Sequence, residues 1–96
     1  MARSKSSNSW LREHFDDHWV KLSQEKGYRA RSAFKLEELH EKDGLLNNVK
    51  NIVDLGCAPG GWCQVARKLC KDDVRIIGMD ILEMEPIDGV EFIQGD

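Results

Sequence analysis

The sequence lacks most of what would hold a chain together covalently or anchor it in a bilayer. Its 96 residues include three cysteines, Cys57, Cys63 and Cys70. That is an odd number without C-x-x-C spacing, which excludes a disulfide framework. The histidines, at 14, 18 and 40, lie upstream of all three cysteines, so no clustered donor set is present and no metal site is expected. The thiols are read as reduced and mostly buried. No run approaches the ~20 apolar residues that span a membrane. The N-terminus, MARSKSSNSWLREHF, has no apolar stretch of the secretory kind. No membrane partner is therefore expected, and the expected location is the cytoplasm. With 41% hydrophobic residues and charges of both signs, the composition also excludes a collagen-like fibre and a disordered tail.

What is present is unevenly distributed. The formal charge is −3, but residues 1–36 carry +4 and residues 37–96 carry −7. A basic front could meet a polyanion, and an acidic rear could hold something cationic or rich in hydroxyls. An ordinary solvated surface accounts for the same numbers.

Residues 1–8 are small and polar and read as a flexible arm. Ser9 can cap a helix over about 9–25, with Leu11, Phe15, Trp19 and Leu22 on one face. A second helix over about 30–42, carrying Ala30, Phe34 and Leu39, ends near Gly44. The period then changes. Short apolar runs at about 51–55, 74–79 and 90–94 read as buried strands, and Trp62 to Lys71 reads as a helix between the first two. This order predicts one α/β domain over 9–96 with a parallel, Rossmann-type sheet.

Asp54-Leu-Gly-Cys-Ala-Pro-Gly-Gly61 joins the first strand to its helix. Gly56 permits the tight exit, and Gly60 and Gly61 would let a ligand approach the backbone. The first acid after the next strand, Asp80, lies at the offset where a carboxylate takes a ribose hydroxyl pair. The dinucleotide fingerprint is not met: it puts its second glycine where Ala58 stands, and Pro59 has no N–H. A pyrophosphate cradle needs free amides, so the turn suits a nucleoside without phosphate, such as S-adenosylmethionine. Asp80 would accept from the ribose, and Asp96, at the end of the third strand, from the adenine amino group. Asp54 would orient the amides of the turn, and Trp62 either walls the ligand or packs its helix. A plain strand-to-helix corner with ordinary loop carboxylates remains the alternative.

Lys26-Gly-Tyr-Arg-Ala-Arg-Ser-Ala-Phe-Lys35 interleaves cations with aromatics. Arg29 and Arg31 could neutralise phosphates, and Tyr28 could stack on a base. Lys35 falls beside the apolar helix face, where it would be snorkelling or partly desolvated. It could equally pair with Glu38 one turn on.

WLREHFDDHWV, KGYRARSAFKLEEL, VDLGCAPGGW and FIQGD, in that order, resemble the FtsJ/RrmJ family of ribose 2′-O-methyltransferases, most nearly its bacterial members that act on large-subunit ribosomal RNA. The resemblance implies a Rossmann-like S-adenosylmethionine-dependent methyltransferase fold, seen here as far as its third strand. It places Gly60, Trp62, Asp80 and Asp96 at cofactor-contacting positions, and Lys35 at the first lysine of a Lys-Asp-Lys-Glu catalytic tetrad. The implied substrate is a uridine ribose of 23S ribosomal RNA in the large ribosomal subunit, and the chain is expected to be a monomer. The other tetrad residues would lie beyond Asp96, so the chain is expected to be an N-terminal part of the enzyme, with negligible methyl transfer alone. A non-catalytic RNA-binding module is the competing expectation. A nicotinamide-dependent oxidoreductase is disfavoured by Ala58 and Pro59.

Overall fold

The structure, a computed structural model, describes residues 18–95. The expected arm, the expected start of the first helix with Ser9, Leu11 and Phe15, and Asp96 lie outside the described residues.

The first described element is helix α1, over 18–26. It turns at Gly27, whose φ is +76°, and continues into α2, Ser32–Asp43. Helix α2 starts two residues later than its sequence period implies. Residues before it are held in a turn, with the Arg29 amide donating to the Gln64 side chain. It ends at Gly44, whose left-handed conformation (φ +61°) lets its amide close on the His40 carbonyl. Its inward face is centred on the buried Ala33 and Leu36, whereas Ala30, Phe34 and Leu39 are only half-buried. The helix is thus rotated from the face expected of it.

Strand β1, Asn51–Leu55, leads through the glycine turn into α3, Gly61–Leu69. Strands β2, Arg75–Asp80, and β3, Glu91–Gln94, follow. Both begin one residue later than expected, because the Val74 and Val90 amides close turns on Lys71 and Ile87. The sheet is parallel, in the order β1-β2-β3. Leu55 sits opposite Met79, and Asp80 opposite Gln94. The carboxyl ends of all three strands therefore open on one side, where ligands of open α/β sheets bind.

Helix α3 is the keystone. Its Cys63 and Ala66 pack on Ile76 and Val74 against the sheet. Its Val65 packs with Ala33, Leu36 and Tyr28 against α2. This two-sided burial fixes where α2 sits relative to the strand ends. Val53 and Leu55 are exposed on β1, which like β3 is paired on one side only among the described residues.

Candidate functional site

The turn after β1 is bound into the protein through its own amides. The Gly56 and Cys57 amides both donate to the Met79 carbonyl, at 2.7 and 3.2 Å. The Ala58 amide donates to Asp80 Oδ2 at 2.9 Å. Pro59 has no amide hydrogen. None of these four residues has an N–H left for a ligand, so this part of the turn cannot cradle a pyrophosphate. That was the expectation from Pro59 alone, and the structure extends it to the three residues before it.

Asp80 ends β2 and holds two backbone amides, Ala58 on Oδ2 and Leu82 on Oδ1, each at 2.9 Å. Donation by Leu82 and then Ala58 holds its carboxyl below the ordinary aspartate range. It is ionised at neutral pH and rigidly aimed. Two of its roughly four acceptor positions remain for a ligand. Asp54 does not orient the turn amides as expected; Asp80 does. Asp54 instead accepts from the Cys63 thiol at 3.3 Å, and burial pushes its carboxyl upward, with the Asp80 charge adding to the rise. Burial and then the bond to Asp54 push the Cys63 thiol far up, so it is an inert core thiol rather than a nucleophile.

The two glycines expected to admit a ligand are approached by the protein itself. Gly60 has φ +114°. A Cβ there would lie 2.9 Å from both Ile87 Cδ1 and Met84 Sδ, in the segment after β2. Gly61 faces Ala30, whose Cβ would stand 3.3 Å from an added Cβ. Gly56 is the open one: nothing lies within 4 Å of a Cβ placed there. It borders a hollow of about 280 Å³ lined also by Ser32, Asp54, Ala58, Pro59 and Trp62. Trp62 both lines this hollow and ties α3 to α2, its indole Nε1 donating to the Ser32 carbonyl at 2.7 Å.

Lys35 lies one helical turn beyond Ser32 on α2. Its side chain is 61% exposed and 4.0 Å from Glu38. Of the alternatives the sequence left open, the structure shows the pairing with Glu38 and not partial desolvation, because α2 turns Ala33 and Leu36 inward instead of the face beside Lys35.

Two residues expected to touch nucleic acid do structural work. Tyr28 is 9% exposed. Its ring meets Phe34 edge-on at 5.5 Å, and its hydroxyl lies 3.2 Å from Lys68 Nζ. It has no face to offer a base. Arg29 spans the molecule: Nη1 donates to the Pro59 and Glu85 carbonyls and Nη2 to that of Pro86. It ties the glycine turn to the segment after β2.

Sequence reasoning missed Gln64. Its Oε1 accepts the Arg29 amide at 2.8 Å and its Nε2 donates to the Gly27 carbonyl at 3.1 Å. A polar residue between Cys63 and Val65 in an otherwise apolar turn of helix was the available signal. It also missed the segment 84–87 that covers Gly60, for which the local pattern gave no sign.

The FtsJ-like methyltransferase family model matches residues 28–96. Among solved structures, the chain is similar to a protein from Plasmodium falciparum assigned as a ribosomal RNA methyltransferase. The two share 48% identity over 72% of this chain with a TM-score of 0.65. This chain spans 38% of the length of that protein.

Proposed function

The chain belongs to the FtsJ-like methyltransferase family, and from that premise we propose that it supplies the nucleoside end of a site that methylates a ribose 2′-hydroxyl of ribosomal RNA from S-adenosylmethionine. The observation that carries the reading is the pairing of Asp80 with the glycine turn. An ionised carboxylate, anchored by two amides, stands at the strand ends beside a turn whose leading amides are all spent. That combination accepts hydroxyls and offers little to phosphate, as an adenosine-based cofactor without phosphates requires.

When bound, S-adenosylmethionine supplies a methyl group on a sulfonium, ready for in-line displacement. The residues of this chain do the rest by position. Asp80 accepts the ribose hydroxyl pair. Gly56 leaves room beside the turn, and Trp62 walls the hollow while its indole fixes the start of α2. Gly60 acts indirectly, by letting Met84 and Ile87 close over the turn. Asp96, following β3, is assigned to the adenine amino group. Lys35, exposed and one turn from Ser32, reaches the substrate side and steers the 2′-hydroxyl. Uridine and 23S ribosomal RNA of the large subunit remain the proposed target.

Calorimetric titration with S-adenosylhomocysteine tests the reading. The chain is expected to bind it, and Asp80→Asn to weaken binding at least about tenfold, the loss of one charge-assisted hydrogen bond or more. Binding unaltered by that substitution would remove the basis for the assignment. Failure to bind the nucleoside, with RNA binding intact, would favour the non-catalytic RNA module.

A further inference from the structure

We propose that the groove between α1 and α2, floored by Trp19 and Phe34 and rimmed by Lys26, Arg31 and Lys35, seats an unpaired base of the RNA substrate next to the nucleotide that enters the hollow. The inference rests on the methyl-transfer reading above and names the part of the substrate that reading leaves open.

The groove has a volume of about 300 Å³, within the range of ligand sites. Among the described residues it is lined by Trp19, Arg31, Ser32, Phe34, Lys35 and Glu38. The Trp19 and Phe34 rings lie 5.4 Å apart at 48°, giving an aromatic floor that is half-buried, not sealed. Lys26 Nζ stands 5.7 Å from the Phe34 ring centroid. Glu38, also in that lining, faces Lys35. Cations set around aromatic rings are the pattern that takes a base on its face and phosphates at its edges. The sequence pointed to this chemistry but to the wrong ring. Tyr28 is buried, and Trp19 with Phe34 occupies the accessible position.

Position selects the substrate segment. Ser32 lines both this groove and the hollow before the glycine turn, and its carbonyl is fixed by the Trp62 indole. A chain lying across Ser32 therefore runs from one depression into the other, past Lys35. A duplex hides its base faces within the stack, so the occupant is single-stranded.

The test uses fluorescence anisotropy with a fluorescein-labelled oligouridine RNA of about ten nucleotides, a length within single-strand site sizes. Trp19→Ala is expected to weaken binding about tenfold, and Trp19→Phe to restore most of it, since stacking needs a ring. Lys26→Gln and Arg31→Gln are each expected to lower the slope of log affinity against log salt by ~0.7. Three results overturn the proposal: wild-type affinity in a Trp19→Ala chain with an unchanged circular dichroism spectrum, equal competition by the duplexed oligonucleotide, or displacement of the RNA by polyglutamate at equal charge concentration. Should Trp19→Ala unfold the chain, the Lys26→Gln/Arg31→Gln double variant decides, and an unchanged salt slope overturns it. S-adenosylhomocysteine titration of the same variants separates the two readings. Lost RNA binding with intact nucleoside binding is the signature of the groove. Absent nucleoside binding in the unsubstituted chain counts against methyl transfer alone.

Discussion

Replacing Arg29 distinguishes a clamp from a nucleic-acid contact. In the folded chain its guanidinium donates to three carbonyls, those of Pro59, Glu85 and Pro86. It joins two segments that the strand ladder does not otherwise hold together. Each such bond contributes about 0.5–1.5 kcal/mol net. The site is partly solvated, so Arg29→Ala is expected to cost about 2 kcal/mol in all. For a domain stabilised by roughly 5–15 kcal/mol that is a large share. In urea it moves the unfolding midpoint down by about 1–2 M, read by tryptophan fluorescence and circular dichroism together.

Arg29→Lys sharpens the argument. An ammonium keeps the charge but not the planar fork that reaches carbonyls on both sides. Lysine should therefore recover little of the lost stability. Were Arg29 instead a phosphate contact, lysine would serve nearly as well, stability would hardly change, and RNA affinity would fall in the Ala variant. An unchanged urea midpoint in Arg29→Ala, together with weakened RNA binding, would refute the clamp.

Three further expectations follow from the same geometry. Gly78→Ala would put a Cβ 2.8 Å from Cys57 Sγ and 3.1 Å from Cys63 Sγ beneath the sheet. Overpacking of this kind costs about 1–3 kcal/mol, so thermal unfolding should come at least about 4 °C lower, while a normal melting temperature would mean the layer has slack. Asp80, held low by Leu82 and Ala58, adds stability that is present above its unfolded value near about pH 4 and lost as pH falls through its lower folded value; Asp80→Asn should flatten that acid limb in a pH titration of the urea midpoint. Iodoacetamide should label the half-buried Cys70 first and reach the buried Cys57 and Cys63 only after unfolding; mass spectrometry showing early Cys63 labelling would contradict the core thiol pair.

What could be read from the sequence was what the chain encodes over short distances. The β1 run Ile52–Leu55, the glycine turn and the acid closing β2 are each specified by neighbours within a few residues, and all three stand in the structure. The failures share a different cause. Tyr28 and Arg29 sit in a stretch whose local composition advertises nucleic-acid binding, but their partners lie far along the chain: Lys68 is 40 residues away and Pro86 is 57. Tertiary contact overrode local chemistry at both. Lys35 was placed on the correct helix with its surroundings left open between desolvation and a pair with Glu38, because one helical step in the buried face decides whether a lysine stem is covered; the structure shows the pair. Asp54 and Asp80 were both recognised as site carboxylates, yet only the sheet register, with Asp54 opposite Gly78, shows which of them the turn amides can reach.

The double use of Asp80 explains why this position requires an aspartate. Ala58 and Leu82 meet different oxygens, and an asparagine would set an NH2 donor against one of the two amides. A glutamate carries its carboxylate one methylene further and would leave Ala58 without its partner or push the turn outward. With aspartate, the bonds that shape the turn are complete before any ligand arrives, and the carboxylate, with acceptor positions left over, is already ionised. A hydroxyl pair binding there orders nothing further in the backbone, so its interaction is not spent on fixing the loop. The same economy couples the two roles: whatever loosens the turn from Asp80 also misaims the carboxylate, and Arg29, gripping the Pro59 carbonyl, stabilises the turn from its other end.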